Sequence, residues 1–173
     1  MIIMLRSLAI AIFLVFWGLF GLLLGLFRPF NPKNLHLMAP AIGYFGVWVF
    51  RIRFIILNAE GREDPQALNN LGPAVYVSNH QSNLDVIVVG RIHPQNTISV
   101  GKRSILLVPF FGVVYWLAGN ILINRKNKKD AHQTIRAAAE IIKQKKLSAW
   151  IMPEGTRNHG KGLLPFKKGP FYT

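Results

Sequence analysis

The sequence contains no cysteine. This absence excludes disulfide bonds, thiolate metal sites and a cysteine nucleophile, and it leaves the redox compartment undetermined. The five histidines are His36, His80, His93, His132 and His159. None of them pairs with another at a metal-ligand spacing such as HxxxH, so we expect no bound metal. A GxSxG segment, which would present a serine nucleophile on a tight turn, is also missing, so a serine nucleophile of that type is not expected.

Acidic residues are scarce, with 7 aspartates and glutamates against 21 lysines and arginines and a formal net charge of +14. Even so, 51% of the residues are hydrophobic, which is a rare combination in a soluble basic protein. Nucleic acid is the usual partner of such a charge. The basic clusters at 125–129 and 143–146 contain no interleaved aromatic residues, so we expect no nucleic-acid partner. The charge instead favours anionic lipid or an acidic substrate.

The first fifty residues account for the apolar excess. Residues 8–27 form an uncharged run of twenty residues between Arg6 and Arg28, and a helix of that length covers about 30 Å, the thickness of the bilayer's hydrocarbon core. Gly21 and Gly25 have the small-xxx-small spacing that can seat another helix. A cleaved signal peptide is the alternative, but the run is long for one and no small-x-small cleavage site follows it before Arg28.

A second uncharged stretch covers residues 37–50 and is interrupted by Pro40. It is short for a straight span, and residues 28–33 between the two stretches predict a tight connector. We therefore predict that residues 1–50 are a membrane-associated helical hairpin that either spans the bilayer or dips into one leaflet. The basic residues that follow predict that the rest of the chain lies on the cytoplasmic side.

Residues 51–173 are predicted to form one α/β domain. Short apolar runs bounded by turn residues predict strands at 51–57, 74–77, 97–100, 120–123 and 148–152. Helices are predicted at 84–92, at 104–117 with breaks at Pro109 and Gly112, and at 130–145 with Asp130 as its N-cap. This alternation predicts a central, largely parallel or mixed sheet.

The segment 79–85 places a histidine and an aspartate five residues apart, directly after the predicted strand at 74–77. A histidine can act as a general base near neutral pH, and a carboxylate beside it can fix its tautomer. On one continuous helix His80 and Asp85 would point about 140° apart. They meet only if His80 lies in a turn and Asp85 lies in the first turn of the next helix. The alternative is that residues 82–85 form only a capping box.

Ligands of α/β sheets bind beyond the carboxyl ends of the strands. His80, Arg125 and Glu154 each follow a predicted strand. We expect all three to lie at the same edge of the sheet.

Three motifs follow one another along the chain. They are His80 and Asp85 separated by four residues, Gly-Asn-Ile-Leu-Ile-Asn-Arg at 119–125, and Pro-Glu-Gly-Thr-Arg at 153–157. Together they resemble the glycerolipid acyltransferase superfamily, and above all its bacterial 1-acylglycerol-3-phosphate (lysophosphatidate) acyltransferases. The segments at 100–104, 109–112 and 162–167 resemble that family as well. There are two departures. Asn124 stands where the family usually has aspartate, and the chain ends before the family's fourth motif, so the resemblance implies that a C-terminal part of the domain is missing.

The resemblance implies transfer of a fatty acyl group from acyl-CoA or acyl-carrier protein to the 2-hydroxyl of 1-acylglycerol 3-phosphate, giving phosphatidate, without a cofactor. It implies a bacterial inner-membrane enzyme in which His80 is the general base and Asp85 orients it. The residues implied to bind substrate are Arg125, Glu154, Gly155, Thr156, Arg157 and Lys167. Glu154 would bond the glycerol or hold Arg157, and the alternative is that these two merely pair with each other.

Three other functions stay open at this point. The chain can be another acyltransferase of the superfamily, with glycerol 3-phosphate or a different lysophospholipid as acceptor. It can be a non-catalytic, membrane-anchored lipid-binding fragment. It can also be a basic, membrane-tethered nucleic-acid binder.

Overall fold

The computed structural model describes residues 2–64, 73–124 and 128–168. It opens with two long helices and continues with strands and helices in alternation. The helices are α1 (Ile2–Phe27), α2 (Pro32–Phe50), α3 (Asp85–Ile92), a 3₁₀ helix (Arg103–Leu107), α4 (Phe111–Leu117) and α5 (Lys128–Gln144). The strands are β1 (Val75–Val77), β2 (Thr97–Lys102), β3 (Ile121–Ile123) and β4 (Ser148–Ile151). Four of the five predicted strands are therefore confirmed.

The four strands form one sheet in the order β1-β4-β2-β3, and every neighbouring pair is parallel. The register aligns Tyr76 and Ser99 with Trp150 of the central strand β4. Buried apolar side chains of β2, β4 and α5 pack together as the core of this layer, including Ile98 and Ile142. Because all strands point the same way, their carboxyl ends meet at one edge, which we call the carboxyl edge.

The hairpin turns sharply at residues 28–31. Asn31 caps α2, since its side-chain oxygen accepts from the Lys33 backbone N–H at 3.0 Å. Pro40 lies inside α2 without ending it. A proline removes one helical hydrogen bond, but tertiary packing supplies most helix stability, and α2 buries Met38 and Ala39 just before the proline and Gly43 just after it. Of the helices that the structure describes, α1 is the one long and apolar enough to cross a membrane.

The glycine face of α1 seats a helix of the α/β domain. A Cβ added at Gly18, Gly21 or Gly25 would lie 2.8 Å from Phe110, 2.8 Å from Val114 or 2.7 Å from Leu117, respectively. The small-residue spacing therefore does seat another helix, and that helix is α4. The contact pairs rise together along both helices, so α1 and α4 run in the same direction.

Helix α2 packs against α3 through glycines as well. A Cβ at Gly43 would lie 2.3 Å from the Arg91 backbone nitrogen, and a Cβ at Gly90 would lie 2.6 Å from the Ala39 carbonyl oxygen. The two backbones thus touch without intervening side chains. The hairpin is consequently fixed to the helix that begins with Asp85.

Three details of the sequence-based prediction are wrong. Residues 51–57 form no sheet strand; Leu57 makes an isolated bridge with Glu63, and the Arg91 guanidinium lies over the Phe54 ring at 5.7 Å, so this segment packs near α3. The break predicted at Pro109 is confirmed, since the 3₁₀ helix ends before it and α4 begins after Phe110, which has a positive φ of 58°. The break predicted at Gly112 is wrong, because Gly112 lies inside α4.

The third error concerns the start of α5. The helix begins at Lys128, so Asp130 lies within its first turn instead of capping it. Its carbonyl oxygen accepts from the Thr134 hydroxyl at 2.8 Å, as expected inside a helix. A carboxylate in the first turn still complements the positive end of the helix dipole.

Candidate active site

His80 and Asp85 are in direct contact. His80 lies in the loop after β1, Asp85 is the first residue of α3, and His80 Nδ1 lies 2.6 Å from Asp85 Oδ2. This is the bent arrangement that the five-residue spacing requires. With the carboxylate accepting from Nδ1–H, the lone pair of the ring is on Nε2. Both side chains are partly buried, with 26% and 18% of their surfaces exposed, so the ring stays accessible to a small reactant.

The same carboxylate also organises the start of α3. Asp85 Oδ2 accepts from the backbone N–H groups of Gln81 at 2.8 Å and Ser82 at 3.1 Å. The Ser82 hydroxyl accepts from the Leu84 N–H at 3.0 Å and not from the Asp85 N–H that a full capping box requires. Asp85 therefore makes the carboxylate half of the box and the histidine contact at the same time, so the two roles are not alternatives. The backbone N–H groups just before α3 fix the Asp85 carboxylate, and the carboxylate in turn fixes the His80 ring.

Glu154, which follows the neighbouring strand β4, binds the backbone of His80. Its side chain is only 1% exposed, and Oε1 accepts from the His80 backbone N–H at 2.6 Å. Oε2 accepts from the Leu164 N–H at 3.0 Å and from the Asn158 amide at 3.5 Å. In return, the Asn158 N–H donates to the His80 carbonyl at 2.8 Å. The backbone N–H and C=O groups of His80 are thus both bound by residues that follow β4.

These contacts explain the charge state of Glu154. The backbone N–H donors of His80 and then Leu164 lower the pKa of the Glu154 carboxyl below its ordinary value, against the opposing effect of burial. A buried carboxylate that accepts several hydrogen bonds is stable in its ionised form. The sequence suggested that Glu154 would bond glycerol, hold Arg157 or pair with it. The structure instead places its oxygens on protein donors of His80, Asn158 and Leu164.

Two cations lie beside this loop. Arg157 Nη1 donates to the side-chain oxygen of Asn83, within the His80–Asp85 segment. Gly155 has a φ of +66°, and a Cβ there would lie 3.0 Å from Lys167 Nζ. Glycine therefore allows both the turn and the close approach of the lysine. Thr156 is exposed in the same turn.

The structure brings together every predicted site residue that it describes: His80, Asp85, Glu154, Gly155, Thr156, Arg157 and Lys167. Arg125 lies outside the described residues. Two residues of the site were not predicted from the sequence. Asn83 accepts a hydrogen bond from Arg157, and Asn158 donates hydrogen bonds to both His80 and Glu154. Asparagine is typical of turns, so its position directly after the 153–157 motif was the available signal for Asn158.

This site combines a basic nitrogen, a fixed carboxylate and two cations at one sheet edge. Nε2 of His80 can take a proton from a hydroxyl group. Arg157 and Lys167 can bind an anionic group nearby. Across the described ranges, no three histidine, aspartate or glutamate side chains come close enough to hold a metal ion. The arrangement suits proton removal from a hydroxyl on a molecule that also carries an anion.

Comparison with known proteins identifies relatives of this chain. A family model described as Acyltransferase matches residues 59–173. The 1-acyl-sn-glycerol-3-phosphate acyltransferase of Salmonella typhimurium is 40% identical over 168 residues, which cover 96% of this chain and 65% of that protein. The protein of the same name from Escherichia coli K12 is 39% identical over 168 residues, with the same coverage. The chain thus spans about two thirds of the length of these relatives.

One solved structure has the same architecture. The crystal structure of the 1-acyl-sn-glycerophosphate (LPA) acyltransferase PlsC from Thermotoga maritima matches with a TM-score of 0.65, covering 99% of this chain and 66% of that one. Its sequence identity is 20%, so this likeness concerns the fold. It confirms apolar N-terminal helices followed by an α/β domain with a parallel sheet.

We predict that Glu154→Gln lowers the melting temperature near neutral pH, because an amide nitrogen would face a backbone N–H donor. The folded-state pKa of Glu154 is depressed below its ordinary value of 4.5. Its contribution to stability is therefore present above about pH 4.5 and disappears as the pH falls through the folded-state pKa. The melting-temperature gap between the wild type and the variant should narrow on acidification.

Thermal unfolding followed by circular dichroism between about pH 7 and about pH 3 measures this gap. Glu140→Gln is the matched control, since Glu140 is exposed on α5, and it should unfold like the wild type. Equal melting temperatures for wild type and Glu154→Gln near neutral pH would show that the Glu154 hydrogen bonds do not stabilise the fold.

Proposed function

This chain belongs to the acyltransferase family, and we propose that it transfers a fatty acyl group from a thioester to the 2-hydroxyl of 1-acylglycerol 3-phosphate, giving phosphatidate. The observation that carries the proposal is the 2.6 Å contact between His80 Nδ1 and Asp85 Oδ2, which leaves Nε2 as a base beside two cations. The names of the two bacterial relatives support the choice of acceptor.

The proposed reaction begins with the acceptor hydroxyl. An alcohol has a high pKa and attacks poorly, so His80 Nε2 removes its proton as the oxygen attacks the thioester carbonyl carbon. Asp85 stabilises the imidazolium that forms. Collapse of the tetrahedral intermediate breaks the carbon–sulfur bond, and the departing thiolate takes the proton from His80. The products are phosphatidate and a free thiol, and the histidine returns to its neutral form.

The acceptor's phosphate requires fixed positive charge. Arg157 is suited to this role, because a guanidinium can make two parallel hydrogen bonds to a phosphate. Its present partner is the neutral amide of Asn83, so phosphate binding breaks no ion pair between the two. Lys167 supplies a second charge above the Gly155 turn. Arg125 is proposed as a third contact on the strength of the family resemblance.

The acyl donor is proposed to be acyl-CoA or acyl-carrier protein, which acts as a substrate, so the reaction has no need of a cofactor. Direct transfer is supported by the absence of cysteine and of a GxSxG segment from the sequence, since these would supply the usual nucleophiles of an acyl-enzyme. His80 then acts on the acceptor and has no covalent role.

The bilayer is the proposed partner of residues 1–50, and residues 51–173 form the proposed catalytic unit. The apolar run in α1 is long enough to insert, and the acceptor is itself a membrane lipid. Residues 63–173 contain fifteen lysines and arginines against six acidic residues, which favours the cytoplasmic side of a bacterial inner membrane. Both types of donor are found on that side.

We predict that His80→Asn lowers the rate of acyl transfer to lysophosphatidate by a factor of ~10² or more, the usual contribution of a general base. The asparagine amide can still donate to Asp85, but it has no basic nitrogen. His159→Asn is the matched control, because the His159 side chain is exposed and should be dispensable. The assay follows labelled phosphatidate formed from each donor type.

Retention of more than about a tenth of the wild-type rate by His80→Asn would overturn the base assignment. Wild-type protein that acylates glycerol 3-phosphate or another lysophospholipid in preference to lysophosphatidate would retain the family but overturn the acceptor. Wild-type protein that binds lysophosphatidate in the bilayer without acylating it would favour a lipid-binding role.

We also predict that Arg157→Ala and Lys167→Ala raise the KM for lysophosphatidate about tenfold or more, as expected for loss of a charge-assisted hydrogen bond. The kcat should change less. Arg157→Lys should recover only part of the loss, because an ammonium group cannot make the bidentate contact. Lys143→Ala is the control, because Lys143 is exposed in the last turn of α5, which leads into the beginning of β4 and so lies away from the carboxyl edge.

An acceptor without a phosphate group isolates the proposed contact. With 1-acylglycerol as acceptor, Arg157→Ala and Lys167→Ala should behave like the wild type. A fall in kcat with an unchanged KM for lysophosphatidate would place these cations at the reacting centre and would contradict phosphate binding.

A further inference from the structure

The direction of α1 relative to the sheet follows from its packing. Helix α4 connects the carboxyl end of β2 to the beginning of β3, and β2 and β3 are parallel, so α4 begins at the carboxyl edge and runs back. Helix α1 runs in the same direction as α4, and its Gly18 contacts Phe110, directly before the first residue of α4. The half of α1 that precedes Gly18 therefore extends beyond the carboxyl edge, on the side of His80.

This projecting half is apolar and exposed. Its exposed side chains include Ile2, Ile3, Met4, Leu5, Leu8 and Ile12. The half after Gly18 also exposes apolar side chains, such as Phe20 and Phe27, but its glycines hold it along α4, so only the first half extends past the sheet. Large contiguous apolar surfaces mark sites of contact with membranes or other proteins. If α1 is in the bilayer, as the proposed function holds, the bilayer lies beyond the carboxyl edge.

A second apolar surface rises from the same edge. The 3₁₀ helix follows the carboxyl end of β2, and residues 106–110 form an uninterrupted exposed run that we call the apolar crest. Leu107 is 83% exposed, and Val108 and Phe110 are also exposed. These apolar side chains are exposed to solvent in a surface loop, where a soluble protein would usually carry polar residues.

The crest has the electrostatics of a surface that meets lipid. Lys102 and Arg103 are exposed shortly before it, separated from it by Ser104 and Ile105. Cations next to apolar side chains suit an anionic bilayer, because the charges reach the head groups while the apolar side chains enter the acyl region. A protein partner would have to cover the crest while leaving room for the projecting half of α1. One bilayer covers both.

We propose that the apolar crest is a second membrane contact, which inserts into the leaflet nearest α1 and turns the His80 edge toward an anionic lipid surface. The inference rests on the proposed membrane location of α1. Two contacts, one from the helix and one from the crest, fix the orientation of the domain, whereas a single helix would let it rotate. A lysolipid acceptor can then reach His80 without leaving the bilayer.

Site-specific labelling tests this directly, because the chain contains no cysteine and each single-cysteine variant carries one label. The variants are Leu5→Cys in α1, Leu107→Cys in the crest and Ile141→Cys on α5, all at exposed positions. Each full chain is labelled with the fluorophore NBD and added to vesicles of phosphatidylcholine and phosphatidylglycerol. Lipids with doxyl groups at known depths report insertion by quenching.

We expect the labels at positions 5 and 107 to shift their emission to the blue and to lose intensity to doxyl lipids, while the label at 141 stays in water. Quenching at 5 without quenching at 107 would overturn the inference and leave the anchor intact. No quenching at 5 would refute the proposed membrane location itself. A blue shift at 107 that needs no vesicles would show a protein contact at the crest and would also overturn the inference.

Discussion

The buried carboxylate of Glu154 is the interaction on which the rest of the site depends. It accepts from the peptide N–H of His80 at 2.6 Å and joins the loop after β1 to the loop after β4. The His80 carbonyl is bound in turn by the Asn158 N–H at 2.8 Å. With its peptide unit held on both sides, His80 can present its ring to Asp85 in one orientation. Positioning of this kind is what a general base needs before its pKa matters.

The helical hairpin belongs to the same mechanical unit. Helix α2 touches α3 backbone to backbone at Gly43 and Gly90, and α3 begins with the carboxylate that orients His80. Helix α1 lies on α4 through three glycines. The hairpin is thus packed closely against the two helices that flank the site. Under the membrane association proposed for residues 1–50, this packing would make the hairpin position His80 as well as tether the chain.

The sequence predicted the parts of this fold that depend on local pattern and strand polarity. Short apolar runs marked β1 to β4, and the parallel order then forced His80 and Glu154 to one edge. The predicted strand at 51–57 is wrong. Alternating apolar residues indicate only that one face of a segment is covered by other residues, and here the nearby element is the helix α3. Asn83 and Asn158 were missed because each acts through a contact with a distant part of the chain, namely Asn83 with Arg157 and Asn158 with the His80 carbonyl, which spacing alone does not reveal.

The central claim is that Asp85 holds His80 with its proton on Nδ1, so that Nε2 is the base. Nitrogen-15 NMR of the imidazole rings reports the tautomer of each neutral histidine, and comparison with His80→Asn assigns the signals of His80. At a pH of about 8, where an unperturbed histidine is neutral, the account predicts a protonated Nδ1 and a bare Nε2 at His80. A proton on Nε2 instead would contradict it.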